Sequence, residues 1–193
     1  MKNPDIITAL TPVIQAFNKL GILYYISGSV ASSVYGIARA TLDVDMVSNL
    51  TPLQVKPLIK LLEKSYYIEE KMIESALRRH SSFNLIHLDT MLKIDIFILK
   101  QRDYDKSAFE RKKIDTLDIS EKTPKIYIAS PEDIILSKLE WFEKGGEVSE
   151  KQWNDILGIF KVQQNLLDMK YLRHWASELK LTDLLKKAIE AAN

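Results

Sequence analysis

Apolar and polar positions follow two different periods in the N-terminal part of the chain. From Ile6 to Leu20 the apolar residues recur every three or four positions, which predicts a helix that ends at Gly21. Residues 22–26 consist of isoleucine, leucine and tyrosine, are mostly β-branched or aromatic, and predict a strand. A short break of serine and glycine follows, and residues 30–35 predict the opening of a second helix. The pattern therefore predicts a helix, a strand, a tight turn and another helix in succession.

The middle of the chain is dominated by strand patterns. Residues 53–64 are amphipathic and predict a helix, with Pro52 suited to its first turn. Four other segments predict strands: residues 82–88, 92–99, 113–119 and 125–129. The first two flank Asp89-Thr90-Met91 and predict a hairpin, and the last two are separated by residues 120–124. Together with the first strand, these segments predict a mixed sheet.

Strand patterns stop after residue 129. Ser130 suits an N-cap, Pro131 the first helical position and Asp133 the third, so a helix is predicted to start there and to run toward Gly145-Gly146. Helical periodicity resumes in three further segments: residues 150–162, 169–179 and 182–192. The expected fold is α/β (α+β), with residues 1–129 forming the part that contains the sheet and residues 130–193 a helical part packed on it.

Composition limits the classes of protein that the chain can belong to. With 193 residues and 46% hydrophobic content, it can bury a substantial core, as one domain or as a domain with a helical appendage. The net charge of +1 gives no general attraction to nucleic acid, and the absence of cysteine excludes disulfides and thiolate metal sites. No signal pattern precedes Pro4, and no apolar run approaches the roughly 20 residues that span a bilayer. A cytoplasmic protein without membrane contact is expected.

Asp43-Val44-Asp45 is the first candidate for chemistry. Residues i and i+2 of a strand point to the same face, so both carboxylates project together while Val44 turns to the core. At about 6 to 7 Å apart they repel by about 2 to 3 kcal/mol at an effective dielectric near 20. The hairpin would bring Asp95 into the same sheet as a third carboxylate. Oxygen-only ligands favour Mg²⁺ over zinc, although an Asp-x-Asp pair alone also fits a solubilising strand face.

Gly28-Ser29 provides the second candidate feature. A glycine turn that leads into a helix presents free backbone N–H groups and the positive end of the helix dipole to an anion. The Ser29 hydroxyl is expected both to cap the helix and to contact a phosphate.

These motifs, in this order and spacing, resemble those of the nucleotidyltransferase superfamily, which has the DNA polymerase beta-like fold. The resemblance covers roughly residues 20–100, and residues 39–45 are most similar to a small bacterial branch that includes toxins of abortive-infection and toxin–antitoxin systems. Antibiotic-modifying members usually carry an arginine soon after Gly-Ser, whereas Val30-Ala31-Ser32 stands here. The resemblance therefore does not imply an aminoglycoside substrate.

The resemblance implies transfer of a nucleoside monophosphate from an NTP to a hydroxyl, with release of pyrophosphate. Asp43 and Asp45 would hold Mg²⁺ on the triphosphate, and Asp95 would share a second ion and help to deprotonate the acceptor, with Mn²⁺ as an alternative metal. Gly28 and Ser29 would cradle the β and γ phosphates. The acceptor would be an RNA end, a small molecule or a protein, and an antitoxin protein is an implied partner. The alternative is a catalytically silent nucleotide-binding or partner-binding module on the same fold.

Three further residues are candidates for nucleotide binding. Arg39 and Thr41 directly precede the acidic strand, where Arg39 can pair either with a triphosphate or with Asp43. Lys138 lies on the first C-terminal helix and is either a phosphate contact or a solvated surface charge.

Basic clusters and tryptophans have simpler interpretations. Acidic residues are interleaved with the basic clusters, which favours a mixed-charge surface over an RNA site. These clusters are Arg78-Arg79-His80, Lys100-Gln101-Arg102 and Arg111-Lys112-Lys113. The tryptophans of the helical part are interpreted as core anchors rather than as a base-stacking platform: Trp141, Trp153 and Trp175.

Overall fold

A computed structural model describes residues 4–116 and 125–192. Seven strands of this part form one sheet: β1 (Tyr24–Ser27), β2 (Asp43–Ser48), β3 (Tyr66–Tyr67), β4 (Ser82–His87), β5 (Lys93–Ile98), β6 (Lys113–Thr116) and β7 (Lys125–Ile128). The helices are α1 (Pro4–Leu20), α2 (Gly28–Tyr35), α3 (Val55–Leu62), α4 (Glu70–Arg79), α5 (Asp103–Glu110), α6 (Pro131–Lys144), α7 (Glu150–Gln163), α8 (Met169–Glu178) and α9 (Thr182–Ala192). Short 3₁₀ turns lie at Pro52–Gln54 and Gln164–Leu166.

The sheet is mixed, as the sequence predicts, and its strands follow the order β3-β4-β5-β2-β1-β7-β6. The pairs β2–β5 and β1–β7 are parallel, whereas the other neighbouring strands are antiparallel. The predicted hairpin joins β4 to β5, and β5 lies directly beside β2. The strand that carries Asp95 and the strand that carries Asp43 and Asp45 are therefore neighbours.

Burial alternates strictly along the central strands. In β2, Val44 and Met46 are fully buried, and in β5, Ile94 and Ile96 are fully buried. The residues between them are half-buried. On the core side, α1 packs on β1 through an edge-to-face contact of Phe17 and Tyr24, with ring centroids 5.7 Å apart. The opposite face of β2 and β5 carries charged side chains in the first part of each strand, followed by Val47 and Phe97.

Helices from the C-terminal half cover part of that opposite face. Helix α2, from the N-terminal half, contacts β1 and β2 and also packs against α6 and α7. Helix α6 starts as predicted, because the Ser130 hydroxyl accepts a hydrogen bond from the backbone N–H of Asp133. One continuous hydrophobic core joins the two predicted parts of the chain and contains Ile26, Ile128 and Ile135.

Several elements differ from the sequence prediction. Helix α2 begins at Gly28 rather than at Val30, and helices α4 and α5 and the short strand β3 were not predicted. The predicted continuation of β6 to residue 119 and the connection at residues 120–124 lie outside the described residues. Within residues 4–116 and 125–192, no helix is long and apolar enough to cross a membrane.

Candidate active site

Three carboxylates lie side by side on the open face of the sheet. Asp43 and Asp45 share one face of β2, and Asp45 is directly opposite Asp95 in the parallel register of β5. Adjacent strands are separated by about 4.8 Å, so the three side chains start from neighbouring positions. The structure thus brings together the acidic residues that the motif singles out.

Position 28, next to this cluster, requires a glycine. Its φ of +59° lies in the left-handed region, and a Cβ at this position would overlap the carboxylate of Asp45. Ser27 pairs with Asp45 across β1 and β2, and α2 begins at the next residue. The Gly28 turn therefore brings the N-terminus of α2 into contact with the Asp45 carboxylate.

The structure corrects the capping role predicted for Ser29. The N-cap position of α2 is Ser27, which makes no side-chain capping bond, and Ser29 lies inside the first turn. The Ser29 hydroxyl accepts a hydrogen bond of 2.6 Å from Nη2 of Arg39. Ser29 is therefore linked to a cation beside the glycine turn.

Burial and repulsion between the carboxylates change the pKa of Asp45. Burial, followed by the charges of Asp43 and Asp95, raises the pKa of Asp45 to about 6, although Lys138 and Lys93 oppose this shift. Its two acidic neighbours have partners of their own. The Thr41 hydroxyl donates to Oδ1 of Asp43 at 2.6 Å, and Nζ of Lys93 lies 2.7 Å from Oδ2 of Asp95.

The carboxylate oxygens of Asp43, Asp45 and Asp95 are ligands of the type that a hard divalent cation prefers. Within the described residues, no group of three or more carboxylate or imidazole side chains is arranged to hold one metal ion together. Thr41 and Lys93 instead engage the two outer carboxylates. However, all three groups offer only oxygen atoms, and burial together with repulsion from Asp43 and Asp95 raises the pKa of Asp45. A divalent cation would relieve that repulsion.

Arg39 and Lys138 converge on a carboxylate that the sequence analysis did not identify. Arg39 donates to Asp155 through Nε at 2.9 Å and Nη2 at 3.0 Å, and Nζ of Lys138 lies 2.7 Å from Oδ2 of Asp155. Of the two predicted alternatives for Arg39, the ion pair with Asp43 is therefore wrong. The interpretation of Lys138 as a solvated surface charge is also wrong, because the residue is only 4% exposed.

Asp155 has one sequence signal that could have revealed it. It lies four residues before the buried Ile159 and next to the buried Ile156 on α7. Residues four apart share a helix face, so a carboxylate at this position is expected to be buried. A buried carboxylate requires a cationic partner, but the sequence cannot say which one.

Part of this group of residues lines one end of a cleft of about 350 Å³. Five of the predicted site residues form part of its wall: Gly28, Ser29, Asp43, Asp45 and Lys138. The other three adjoin these residues: Arg39 bonds to Ser29, Thr41 bonds to Asp43, and Asp95 pairs with Asp45 in the sheet register.

The other end of the cleft is aromatic and carries an ion-pair cluster. Arg102 bridges Asp105 and Glu140, with four N···O distances between 2.6 and 3.1 Å. The ring of Trp141 lies 6.4 Å from that of Phe97, measured between centroids. Arg102 directly precedes α5, and the other side chains of this end belong to α5, α6 and the last part of β5.

Trp141 departs from its predicted role. It is 53% exposed and lines the cleft, so its interpretation as a core anchor is wrong. Trp153 stacks on Phe142, and Trp175 packs against Tyr104, as expected of core anchors.

Comparison with known proteins gives structural matches only. No protein-family model and no curated protein matches the chain. The chain is similar to an antigenic nucleotidyltransferase-like protein from Paracoccidioides brasiliensis, with a TM-score of 0.57 and 18% identity over 99% of this chain and 94% of that one. It is also similar to ANT(2")-Ia in complex with adenylyl-2"-tobramycin, with a TM-score of 0.58 and 12% identity over 90% of this chain and 96% of that one. The solution structure of the antibiotic-resistance factor ANT(2'')-Ia matches with a TM-score of 0.52 and 12% identity, over 98% and 96% of the two chains. The chain therefore has the nucleotidyltransferase fold.

Proposed function

We propose that the protein is a Mg²⁺-dependent nucleotidyltransferase that moves a nucleoside monophosphate from an NTP to a hydroxyl acceptor. The observation that carries this proposal is the placement of Asp43, Asp45 and Asp95 on one sheet face, directly beside the glycine turn at Gly28. Three carboxylates destabilise each other unless cations neutralise them, and a helix N-terminus attracts phosphate. One surface therefore combines the features that a metal–triphosphate complex requires.

The triphosphate end of the site is formed by the cationic groups. The first turn of α2 would offer backbone N–H groups to the β and γ phosphates, with the hydroxyl of Ser29 beside them. Arg39 and Lys138 would neutralise phosphate charge at the same end of the cleft. Thr41 holds the Asp43 carboxylate through its 2.6 Å hydrogen bond.

The carboxylates would hold the metal and perform the proton transfer. Asp43 and Asp45 would bind Mg²⁺ on the triphosphate, and Asp95 would share a second ion, with Mn²⁺ as a substitute. When bound, these ions neutralise the negative charge that develops on the reacting phosphate groups. Asp95 accepts the proton of the acceptor hydroxyl while the hydroxyl oxygen forms its bond to the α phosphorus. The bond from that phosphorus to pyrophosphate breaks in the same displacement.

The acceptor belongs to one of three classes: an RNA end, a small molecule or a protein side chain. The physiological role in this proposal is that of the toxin in a toxin–antitoxin or abortive-infection system, with an antitoxin protein as partner. That role rests on the resemblance of residues 39–45 to the small bacterial branch. Its test is growth arrest on expression of the parent protein and normal growth on expression of Asp45→Asn.

The experiment that tests the transfer itself is a labelling screen. Each of the four NTPs, labelled at the α phosphate, is incubated with the protein, Mg²⁺ and one acceptor fraction: total RNA, lysate protein or metabolites. The proposal expects label in one fraction with the parent protein and none with Asp45→Asn. Absence of label in every fraction with all four NTPs would contradict it.

The Lys93–Asp95 ion pair favours one alternative. It occupies an oxygen of the carboxylate that would accept the proton. A catalytically silent nucleotide-binding module on the same fold would keep this pair permanently. Such a module binds Mg²⁺ and NTP together but transfers no label in the screen.

A further inference from the structure

Asp155 is a buried charge that the proposed chemistry does not use directly. It is 7% exposed, and its two carboxylate oxygens receive three short contacts from Arg39 and Lys138. Arg39 also donates to Ser29, and Lys138 also donates to Gln152 at 3.1 Å. One carboxylate on α7 therefore organises two cations at the phosphate end of the cleft.

The approach of α7 to this end is made possible by two glycines. A Cβ on Gly36 would lie 2.9 Å from the backbone nitrogen of Ile159, and a Cβ on Gly158 would lie 3.2 Å from that of Ile37. The side chain of Gln163 donates to the carbonyl of Tyr35 at 2.8 Å. This close contact brings the helix that carries Asp155 against the residues that follow α2.

Asp155 shares its charge between two cations. One carboxylate faces two cations, and the charges of Asp43 and Asp45 also act on Arg39 and Lys138 respectively. Burial alone would raise the pKa of Asp155, but hydrogen bonds and charges from Arg39 and Lys138 outweigh burial and hold that pKa below its usual range. Asp155 therefore stays ionised and keeps both partners in place.

We infer that Asp155 is a positioning residue, which fixes Arg39 and Lys138 in the geometry that receives the triphosphate. This inference rests on the proposed function, because it assigns the phosphate end of the same cleft. Holding cationic side chains in advance removes the entropy cost of ordering them when the ligand binds. The residue itself need not contact the nucleotide.

The sign of the effect of one substitution distinguishes positioning from simple charge. Asp155→Asn removes a negative charge near the triphosphate, so Coulomb attraction alone predicts tighter binding of a polyanion. Loss of positioning predicts weaker binding, because Arg39 and Lys138 are no longer held. We expect positioning to dominate, since Lys138 is buried and would lose its charged partner.

The probe is inorganic tripolyphosphate with Mg²⁺, measured by calorimetry, because it reports on the phosphate site without a base or an acceptor. Asp155→Asn should weaken its binding about ten- to a hundredfold, the range usual for residues that orient binding groups. Glu150→Gln is the matched control: it removes the same charge from an exposed position on α7 and should leave the affinity unchanged. Asp155→Glu keeps the charge and should recover part of the loss.

The second readout is whether the effects of the Asp155, Arg39 and Lys138 substitutions on tripolyphosphate affinity add up. A general loss of structure would not produce non-additive effects. In a protein that already carries Arg39→Gln and Lys138→Met, Asp155→Asn should no longer weaken tripolyphosphate binding, and the loss of its negative charge should leave the affinity equal or slightly higher. The triple variant contains neither the unpaired buried amine nor the unpaired buried carboxylate, so it remains informative if Asp155→Asn alone fails to fold.

The possible outcomes distinguish failure of the inference about Asp155 from failure of the proposed function. Equal or tighter binding by a folded Asp155→Asn, or an additive further loss in the Arg39→Gln/Lys138→Met background, would overturn the inference about Asp155 alone. A parent protein that binds neither Mg²⁺ with tripolyphosphate nor any NTP would overturn the proposed function and this inference with it.

Discussion

At the scale of single residues, Asp45 carries the main electrostatic cost of the site. It lies between two other carboxylates, and the burial that raises its pKa to about 6 comes from its position beside the Gly28 turn. In the unfolded chain the pKa returns to its ordinary 3.8, so the folded state binds this proton more tightly. Ionisation of Asp45 therefore opposes folding. The cost is absent below pH 3.8 and complete above about pH 6.

The first prediction is that Asp45→Asn stabilises the metal-free protein at neutral pH. The pKa shift corresponds to a cost on the order of 3 kcal/mol, an upper limit because water screens a site at the edge of a cleft. In EDTA, the variant should melt several degrees above the parent at pH 7.5, and the difference should shrink as the pH falls toward 4. Thermal melts of both proteins across this range measure it. A lower melting temperature for the variant at every pH would mean that Asp45 supports the fold.

The second prediction concerns Gly28, and Gly21 provides its control. Both glycines have positive φ, but a Cβ on Gly21 meets no atom within 4 Å, whereas a Cβ on Gly28 overlaps Asp45. Gly21→Ala should therefore lose only the backbone term of about 1 to 2 kcal/mol. Gly28→Ala should lose more stability and should also lose Mg²⁺-dependent NTP binding, because the Asp45 carboxylate must move. Chemical denaturation and calorimetry on both variants check this. Equal losses in the two proteins would show that the contact with Asp45 is unimportant.

Residues also differ in how far the sequence could predict them. The positions of Asp43, Asp45 and Asp95 follow from strand alternation and a hairpin, which are local rules. Asp155 could not be placed in the same way, since its partner Arg39 is 116 positions away in the sequence. Trp141 was misassigned because a helical pattern does not state which other elements cover each helix face.

At the scale of elements, the prediction succeeded where an apolar period was strong. Helices α4 and α5 were missed although their apolar residues follow a helical spacing: Met72, Ile73, Ala76 and Leu77 pack on the core in α4, and Tyr104, Ala108 and Phe109 are buried in α5. The rest of each helix is largely charged, which in the sequence resembles a loop. The four-residue spacing of Tyr104 and Ala108, after an acidic first turn, was the available signal for α5.

The third prediction tests the contact of α7 with the end of α2. A Cβ at position 36 would meet backbone atoms of Gly158 and Ile159 at 2.9 to 3.0 Å, and backbone atoms cannot turn aside. Gly36→Ala should destabilise the protein by about 1 to 3 kcal/mol, as overpacking usually does. It should also weaken the binding of tripolyphosphate with Mg²⁺, because α7 carries Asp155.

The matched variant on the other side of that contact is Gly158→Ala. Its Cβ would meet the backbone nitrogen of Ile37 at 3.2 Å, a milder conflict, and alanine is favoured over glycine within a helix by about 1 kcal/mol. The two terms oppose each other, so its stability should stay close to that of the parent. Denaturant titrations rank the two variants, and a greater loss for Gly158→Ala would contradict the packing described for α7.

At the scale of the whole molecule, the cleft is assembled from parts that are distant in sequence. Its floor comes from β1, β2 and β5, and its roof from α5, α6 and α7. The floor contains the motif that resembles nucleotidyltransferases, which is why the sequence could predict the fold. The roof carries no motif of this kind, and its Trp141 forms the aromatic end of the cleft together with Phe97 of the floor.

The fourth prediction separates binding from chemistry across the cleft. Asp95 lies on β5, apart from the Asp43–Asp45 pair on β2, and its side chain is held by Lys93. Asp95→Asn should leave Mg²⁺-dependent NTP affinity within a few fold of the parent, whereas the transfer rate should fall by about a hundredfold or more. Calorimetry and single-turnover labelling on the same samples compare the two effects. Transfer at the parental rate would remove Asp95 from the reaction.

The most direct test of the central claim is calorimetry of NTP binding with Mg²⁺ and with EDTA, for the parent and for Asp45→Asn. The carboxylate cluster and the triphosphate repel each other, so the divalent cation must couple them. The parent should bind one or more of the four NTPs with Mg²⁺ and none measurably in EDTA, and Asp45→Asn should lose the binding that Mg²⁺ confers. Equally tight NTP binding by the parent in EDTA, or by Asp45→Asn with Mg²⁺, would contradict the proposed site.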